Sequence, residues 1–162
     1  MSHRHLNGES FMPVYLPTDQ DTERFARRLA TCIQAPLVLT FSGDIGAGKT
    51  TLVRALFRAL GVDVPIKSPT FSLVESYQGL RGPLHHFDLY RIQEETELDH
   101  LGFRDYFEDN AICCIEWPER VQRYQRFSDL GWTLSVCGSG RDLEGSAWSA
   151  SGLGVLSLLA GE

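Results

Sequence analysis

The sequence has no long apolar run, no paired-cysteine spacing and no basic stripe, and each absence removes a class of protein. No hydrophobic stretch approaches the roughly 20 residues that a membrane-spanning helix needs. The opening residues, Met1 to Ser10, are polar and lack the apolar segment of a secretory signal. They read as a frayed, disordered tail over residues 1–12, followed by a single domain over 13–162. A chain of 162 residues can bury a proper core without disulfides or a structural metal. The four cysteines, Cys32, Cys113, Cys114 and Cys137, show no CxxC spacing. Cys113 and Cys114 sit inside an apolar, strand-like run, which suits buried thiols in a reducing cytoplasm. Acidic residues outnumber basic ones by 21 to 15, for a net charge of −6. The groups Arg24-Arg27-Arg28 and Arg120-Arg123-Arg126 read as solvated helix faces. Autonomous binding to tRNA or DNA calls for a basic surface that this chain does not offer. Any nucleic-acid connection is expected to run through a partner. Repeats, low-complexity tracts and linkers are also missing.

What is present is specific. Residues 43–50 read Gly-Asp-Ile-Gly-Ala-Gly-Lys-Thr, a complete G-x-x-x-x-G-K-T loop. The apolar run 37–41 before it reads as a buried strand. The segment 51–60 after it has helical periodicity and stops at Gly61. Strand, glycine loop and helix together give the motif its mechanism. Gly43, Gly46 and Gly48 let the backbone curl so that successive N–H groups converge on one anion, and the helix N-terminus adds positive potential. The backbone from Asp44 through Ala47 to Thr51 is the expected phosphate cradle. Lys49 is expected to reach the β- and γ-phosphates of ATP, and the Thr50 hydroxyl to bind Mg²⁺.

The rest of the chain alternates strands and helices. Val14–Leu16 reads as a short edge strand. Thr18 and Asp21 have the spacing of a capping box, and Phe25, Leu29 and Ile33 form one apolar stripe behind it. Segments 71–77 and 84–90 read as a hairpin with a longer turn over 79–83. Residues 94–107 look helical with a break at Gly102. Residues 111–115 read as a second buried strand, 132–137 as another, and 153–160 as a final helix. The predicted fold is a three-layer α/β domain of the P-loop NTPase type, a mostly parallel sheet with an inserted antiparallel hairpin.

A phosphate loop needs further groups to complete a metal shell and orient water. Glu116 follows the apolar run 111–115, at the strand end where doubly wound sheets face their ligand. That is the position of a Walker B acid. Asp88, flanked by Phe87 and Leu89, falls on the strand face opposite to them. Spacing leaves it either a surface carboxylate or a catalytic acid. Ser68-Pro69-Thr70-Phe71 is either an ordinary turn or a loop that senses the γ-phosphate. His85 and His86, adjacent on a strand, point to opposite faces and cannot chelate together, so strand packing is their expected role.

Five blocks then occur in one order: residues 43–51, Lys-Ser-Pro-Thr-Phe-Ser-Leu-Val-Glu-Ser-Tyr over 67–77, His-Phe-Asp-Leu-Tyr-Arg over 86–91, Leu-Gly-Phe-Arg-Asp-Tyr-Phe over 101–107, and Ile-Glu-Trp-Pro-Glu over 115–119. Together they resemble the bacterial TsaE family, also called YjeE, over about residues 14–160. The resemblance implies a P-loop ATPase that works with TsaD and TsaB. These install a threonylcarbamoyl group on N6 of the adenosine just 3′ of the anticodon, in tRNAs reading codons that begin with A. It implies that TsaD performs the transfer from an adenylate made by TsaC, and that ATP hydrolysis permits repeated turnover. By position, Thr50 and Glu116 resemble the Mg²⁺ ligands, Lys49 the phosphate clamp and Asp88 the acid required for hydrolysis. Asp19 and the Gly140-Arg141 turn resemble flanking nucleotide contacts. Ser68, Thr70, Tyr90 and Trp117 match segments implicated in activity and partner contact. Residues 119–131 match no block. A kinase using the same loop, with Arg120–Arg126 as a lid, is the alternative enzyme. A GTPase lacks support, since no N/T-K-x-D element is present. A nucleotide-gated assembly factor with incidental hydrolysis is the third reading.

Overall fold

The computed structural model describes residues 9–10 and 13–161. The frayed segment expected over 1–12 lies outside the described residues, except that Glu9 and Ser10 pair with Ala147 and Ser146 as strand β1. Strand β2 (Val14–Leu16) leads into helix α1 (Asp19–Cys32). The expected capping box closes there: Thr18 Oγ1 accepts from the Asp21 N–H at 3.2 Å, and the Thr18 N–H donates to Asp21 Oδ2 at 3.1 Å. Phe25, Ala26, Leu29 and Ala30 bury the apolar stripe of α1.

Strand β3 (Leu37–Ser42), the loop 43–48 and helix α2 (Lys49–Ala59) follow as one unit. The hairpin is formed by β4 (Val74–Gly79) and β5 (Gly82–Asp88). Its turn is tighter than the sequence suggested, because Gly79 pairs with Gly82 and only Leu80-Arg81 lie between. The first strand also starts later than expected: Leu73 has φ +66, incompatible with a strand. Short helices α3 (Thr96–Leu101) and α4 (Asp105–Glu108) flank a left-handed Gly102, the expected break. Strand β6 (Ile112–Glu116) is buried throughout. The arginine-bearing stretch after it is not the helix face expected from its spacing. Pro118–Arg120 and Tyr124–Arg126 are two short 3₁₀ turns, and Arg123 between them takes a left-handed backbone that ends any helical run. Strands β7 (Leu130–Cys137) and β8 (Gly140–Ala147) precede the last helix, α5 (Ala150–Leu159).

The eight strands among the described residues join one sheet in the order β1-β8-β7-β3-β6-β5-β4, with β2 also on β8. Four central strands, β7, β3, β6 and β5, run parallel. Antiparallel partners close both edges: the expected β4–β5 hairpin on one side, and β7–β8 with β1 and β2 on the other. Helices cover both faces, so the fold is the three-layer α/β arrangement with a mixed sheet. On one face α1, α2 and α5 pack over Leu37, Leu39, Phe41, Ile112, Cys114 and Trp132. On the other, Val38, Phe87, Cys113 and Ile115 meet Leu98 and Phe103. The alternation of β3, β5 and β6 between these clusters sends His86, Asp88 and Glu116 to the α2 side.

Candidate nucleotide-binding site

The loop after β3 turns sharply enough to need glycine. Gly48 has φ +102, and a Cβ there would overlap the Arg141 guanidinium. Lys49 opens α2 and is 5 % exposed. Its Nζ donates to the carbonyls of Gly43 and, at 2.9 Å, Asp44. It also lies 4.2 Å from the Trp117 ring centroid. Burial pushes the Lys49 ammonium below the ordinary lysine pKa, and the carboxylates of Glu116, Glu119, Asp88 and Asp44 oppose that shift. Such a cation is already desolvated where a phosphate would meet it.

Glu116 stands at the C-terminal end of β6, as its position in the sequence required, and is 2 % exposed. Thr50 Oγ1 donates to Glu116 Oε1 at 2.8 Å and approaches Oε2 at 3.1 Å. The two expected Mg²⁺ ligands, 66 residues apart, therefore meet at the first turn of α2. Asp88 ends β5 and is in register with Glu116 on the neighbouring strand. Its Oδ1 accepts the Tyr90 N–H at 3.1 Å. Burial pushes the Asp88 carboxyl pKa up; the Tyr90 N–H, His86 and Lys49 pull against this and Glu116 adds to it. A raised carboxyl beside the Lys49 ammonium and another acid is suited to exchanging a proton or orienting water.

These groups line a cleft of about 470 Å³ over the C-terminal edge of the sheet. Asp19, Gly46, Gly48, Lys49, Thr50 and Thr51 border it, with Thr70, Asp88, Tyr90, Glu116 and Trp117 on the hairpin side. Trp117 takes a left-handed backbone (φ +58), its N–H donating to Phe41 O at 3.2 Å. Its ring packs 4.9 Å from that of Tyr90. Gly43, Asp44 and Ala47 form the back of the loop and do not border the cleft. Ser68 does not border it either; its hydroxyl pairs with Thr70 Oγ1 at 2.7 Å. Gly140 also lies away from the cleft, packed so closely on the Leu16 carbonyl and Pro17 that a side chain has no room. Its neighbour Arg141 is the residue that reaches in. Arg141 Nη2 pairs with Asp19 Oδ1 at 3.0 Å, while the buried Nη1 has no partner among the described residues. Strand packing alone does not describe His86, whose Nε2 lies 2.5 Å from Glu116 Oε2. Strand alternation puts His86 and Asp88 on one face, but only the register of β5 against β6 brings His86 to Glu116.

A sequence model of the family described as "Threonylcarbamoyl adenosine biosynthesis protein TsaE" matches residues 16–141, most of the chain. The chain belongs to the TsaE family. A TsaE described as a tRNA threonylcarbamoyladenosine biosynthesis protein, from Haemophilus influenzae, is 34% identical over 148 residues, covering 88% of this chain and 94% of that one. The Synechocystis TsaE is 37% identical over 117 residues, 70% of this chain and 74% of its own. The crystal structure of Bacillus subtilis YdiB superposes with a TM-score of 0.76 at 23% identity, covering 96% of this chain and 97% of that one. At that identity the likeness speaks to the fold. The TsaE match ends at Arg141, so it takes in both the glycine loop and the arginine beside it.

Proposed function

We propose that this TsaE-family chain is a Mg²⁺-dependent ATPase that acts in tRNA threonylcarbamoyladenosine formation with TsaD and TsaB in the cytoplasm. The observation that carries the reading is the convergence of Lys49, Thr50, Glu116 and Arg141, whose Nη1 has no partner among the described residues, on one cleft at a glycine loop. The donor set fits a nucleoside triphosphate. Loop N–H groups and the α2 N-terminus hold phosphate oxygens, Lys49 clamps the terminal phosphates, and Arg141 offers a buried, unspent donor. It also fits Mg²⁺. Among the described residues no group of three or more His, Cys, Asp or Glu forms a metal cage. A cation would be held instead by Thr50, Glu116 and the nucleotide's own oxygens, as Mg²⁺ commonly is. When bound, Mg²⁺ neutralises phosphate charge. Asp88 orients the attacking water or accepts its proton, and Trp117 shields Lys49 from solvent.

No helix among the described residues is long and apolar enough to cross a membrane. Thr70, Tyr90 and Trp117 border the cleft, and in this reading TsaD and TsaB sense the nucleotide through them. Contact with tRNA runs through that complex. The kinase alternative would place its lid on a stretch of two 3₁₀ turns, with Arg120 5.6 Å from the ring of cleft-lining Tyr90, and phosphate transfer to a second substrate rather than to water would favour it. The deciding experiment is a tRNA modification assay with TsaD, TsaB and TsaC, with and without this chain. Several modified tRNAs per complex are expected only when the chain and ATP are both present. Equal yield without it contradicts the proposal.

A further inference from the structure

Resting on the Mg²⁺-site reading above, we propose that His86 is a positioning residue for Glu116, its Nε2–H holding the carboxylate at the angle that serves the cation. His86 is fully buried and Glu116 is 2 % exposed. Nε2 stands 2.5 Å from Glu116 Oε2, a charge-assisted hydrogen bond at its short limit. The opposite nitrogen, Nδ1, is buried with no partner among the described residues. The proton therefore belongs on Nε2, where the carboxylate accepts it.

A buried carboxylate needs donors, and among the described residues Glu116 has Thr50 and His86. Thr50 is committed to the cation, so it cannot also be the fixed anchor of the acid. His86 is free of that duty. It reaches Glu116 from β5, where it pairs with Cys114 two residues before Glu116 on β6. Its ring stands edge-on to Phe57 of α2, with centroids 5.9 Å apart and planes at 76°. Phe57 is itself fully buried. The same histidine thus touches the helix that carries Thr50 and the strand that carries Glu116, and fixes one against the other. Outer partners of metal ligands act in this way, orienting the ligand and raising its basicity. His85, one residue away, has no such role. It faces the other side of the sheet, with Ser76 Oγ at 2.8 Å from Nδ1 and Tyr106 against its ring.

The test compares His86→Phe, which fills the space without a donor, with His86→Gln, whose amide N–H can reach the same oxygen. Mn²⁺ is titrated by electron paramagnetic resonance in the presence of a non-hydrolysable ATP analogue. His86→Phe is expected to weaken Mn²⁺ binding about tenfold or more, leave metal-free analogue binding unchanged, and recover most of the loss as His86→Gln. Mn²⁺ binding by folded His86→Phe equal to wild type overturns the proposal. So does an equal loss in both substitutions. Wild-type protein that takes up no Mn²⁺ with the analogue overturns the Mg²⁺ reading as well, which separates the two failures. A second readout needs neither nucleotide nor a stable His86 variant. Proton–nitrogen NMR of the wild-type protein is expected to show a downfield, exchange-protected imidazole N–H that moves upfield in Glu116→Ala. An unprotected imidazole signal overturns the proposal.

Discussion

The two faces of the central sheet are built from the same strands yet do different work. On the α2 side the packing is largely aliphatic, and at its upper edge His86, Asp88 and Glu116 replace apolar residues. On the α3 side the packing is aromatic. Phe87 meets Phe103 and Tyr106 edge-to-face at 5.1 Å, and Phe107 stacks on Phe127 at 5.2 Å. Neighbouring residues show the division directly: His85 and His86, Cys113 and Cys114, face opposite ways. Polar groups gather where the sheet edge meets the glycine loop, and the aromatic side packs behind those strands. Stability and chemistry are therefore separable by face, and substitutions on each face should show it.

The largest expected effect lies on the aromatic side. Phe103→Ala removes a buried ring that touches Phe87, Phe107 and Phe127. It should cost about 3–5 kcal/mol of stability, a melting-temperature drop on the order of 10 °C. Nucleotide affinity of the molecules that remain folded should not change. Thermal denaturation paired with calorimetric titration checks both, and a parallel loss of affinity would break the division between faces.

Asp88→Asn should act in the reverse manner. ATP still binds, while hydrolysis in the presence of TsaD and TsaB falls by roughly 10²-fold or more. Stability moves the other way. The folded-state pKa of Asp88 is raised, so its contribution is complete below the unfolded carboxylate range and is lost as pH rises through the folded value. Ionising this half-buried carboxyl works against folding, so Asp88→Asn should melt no lower than the wild type, and slightly higher. A mutant that melts well below wild type would make Asp88 a structural residue.

Lys49→Ala comes next. Loss of the clamp should weaken ATP by about 2 kcal/mol, or about 30-fold, measured by calorimetry. Unchanged affinity would remove the loop from the site.

Much of this arrangement was legible in the residues, and the exceptions have physical reasons. The glycine loop, the position of Glu116 at a strand end and the side taken by Asp88 all follow from local spacing. Strand β8 did not, because Gly-Arg-Asp-Leu-Glu-Gly-Ser-Ala lacks apolar alternation; it is a strand because β7 and β2 pair with it on either side. Arg123 escaped for a similar reason, since arginine spacing gives no sign of a left-handed backbone. The contact of His86 with Glu116 depends on how two strands 30 residues apart slide into register. No periodicity within either strand contains that information. Gly140 illustrates the opposite error, a residue whose neighbour reaches the cleft while it packs against Leu16.

The smallest effect concerns the thiols. Burial pushes Cys113 up to about 12, with Asp109 adding to the shift, and pushes Cys114 up as well. Both hold their protons in the native protein where an unfolded chain has lost them. Their contribution to stability is complete below the unfolded thiol range and drains away as pH rises toward the folded values. A thiol reagent at pH 8 should modify exposed Cys137 and leave Cys113 and Cys114 intact until the protein unfolds. Rapid native labelling of Cys113 would show that the β6 layer opens.

In the proposed function Thr50 and Glu116, joined at the head of α2, form a metal-dependent ATP site. Calorimetric titration of ATP with and without Mg²⁺, in wild type and in Glu116→Ala, tests it most directly. The wild type should gain affinity with Mg²⁺, while Glu116→Ala should bind metal-free ATP as before and lose most of that gain. A Glu116→Ala protein that responds to Mg²⁺ as fully as wild type would contradict the account, because another acid would then complete the metal shell.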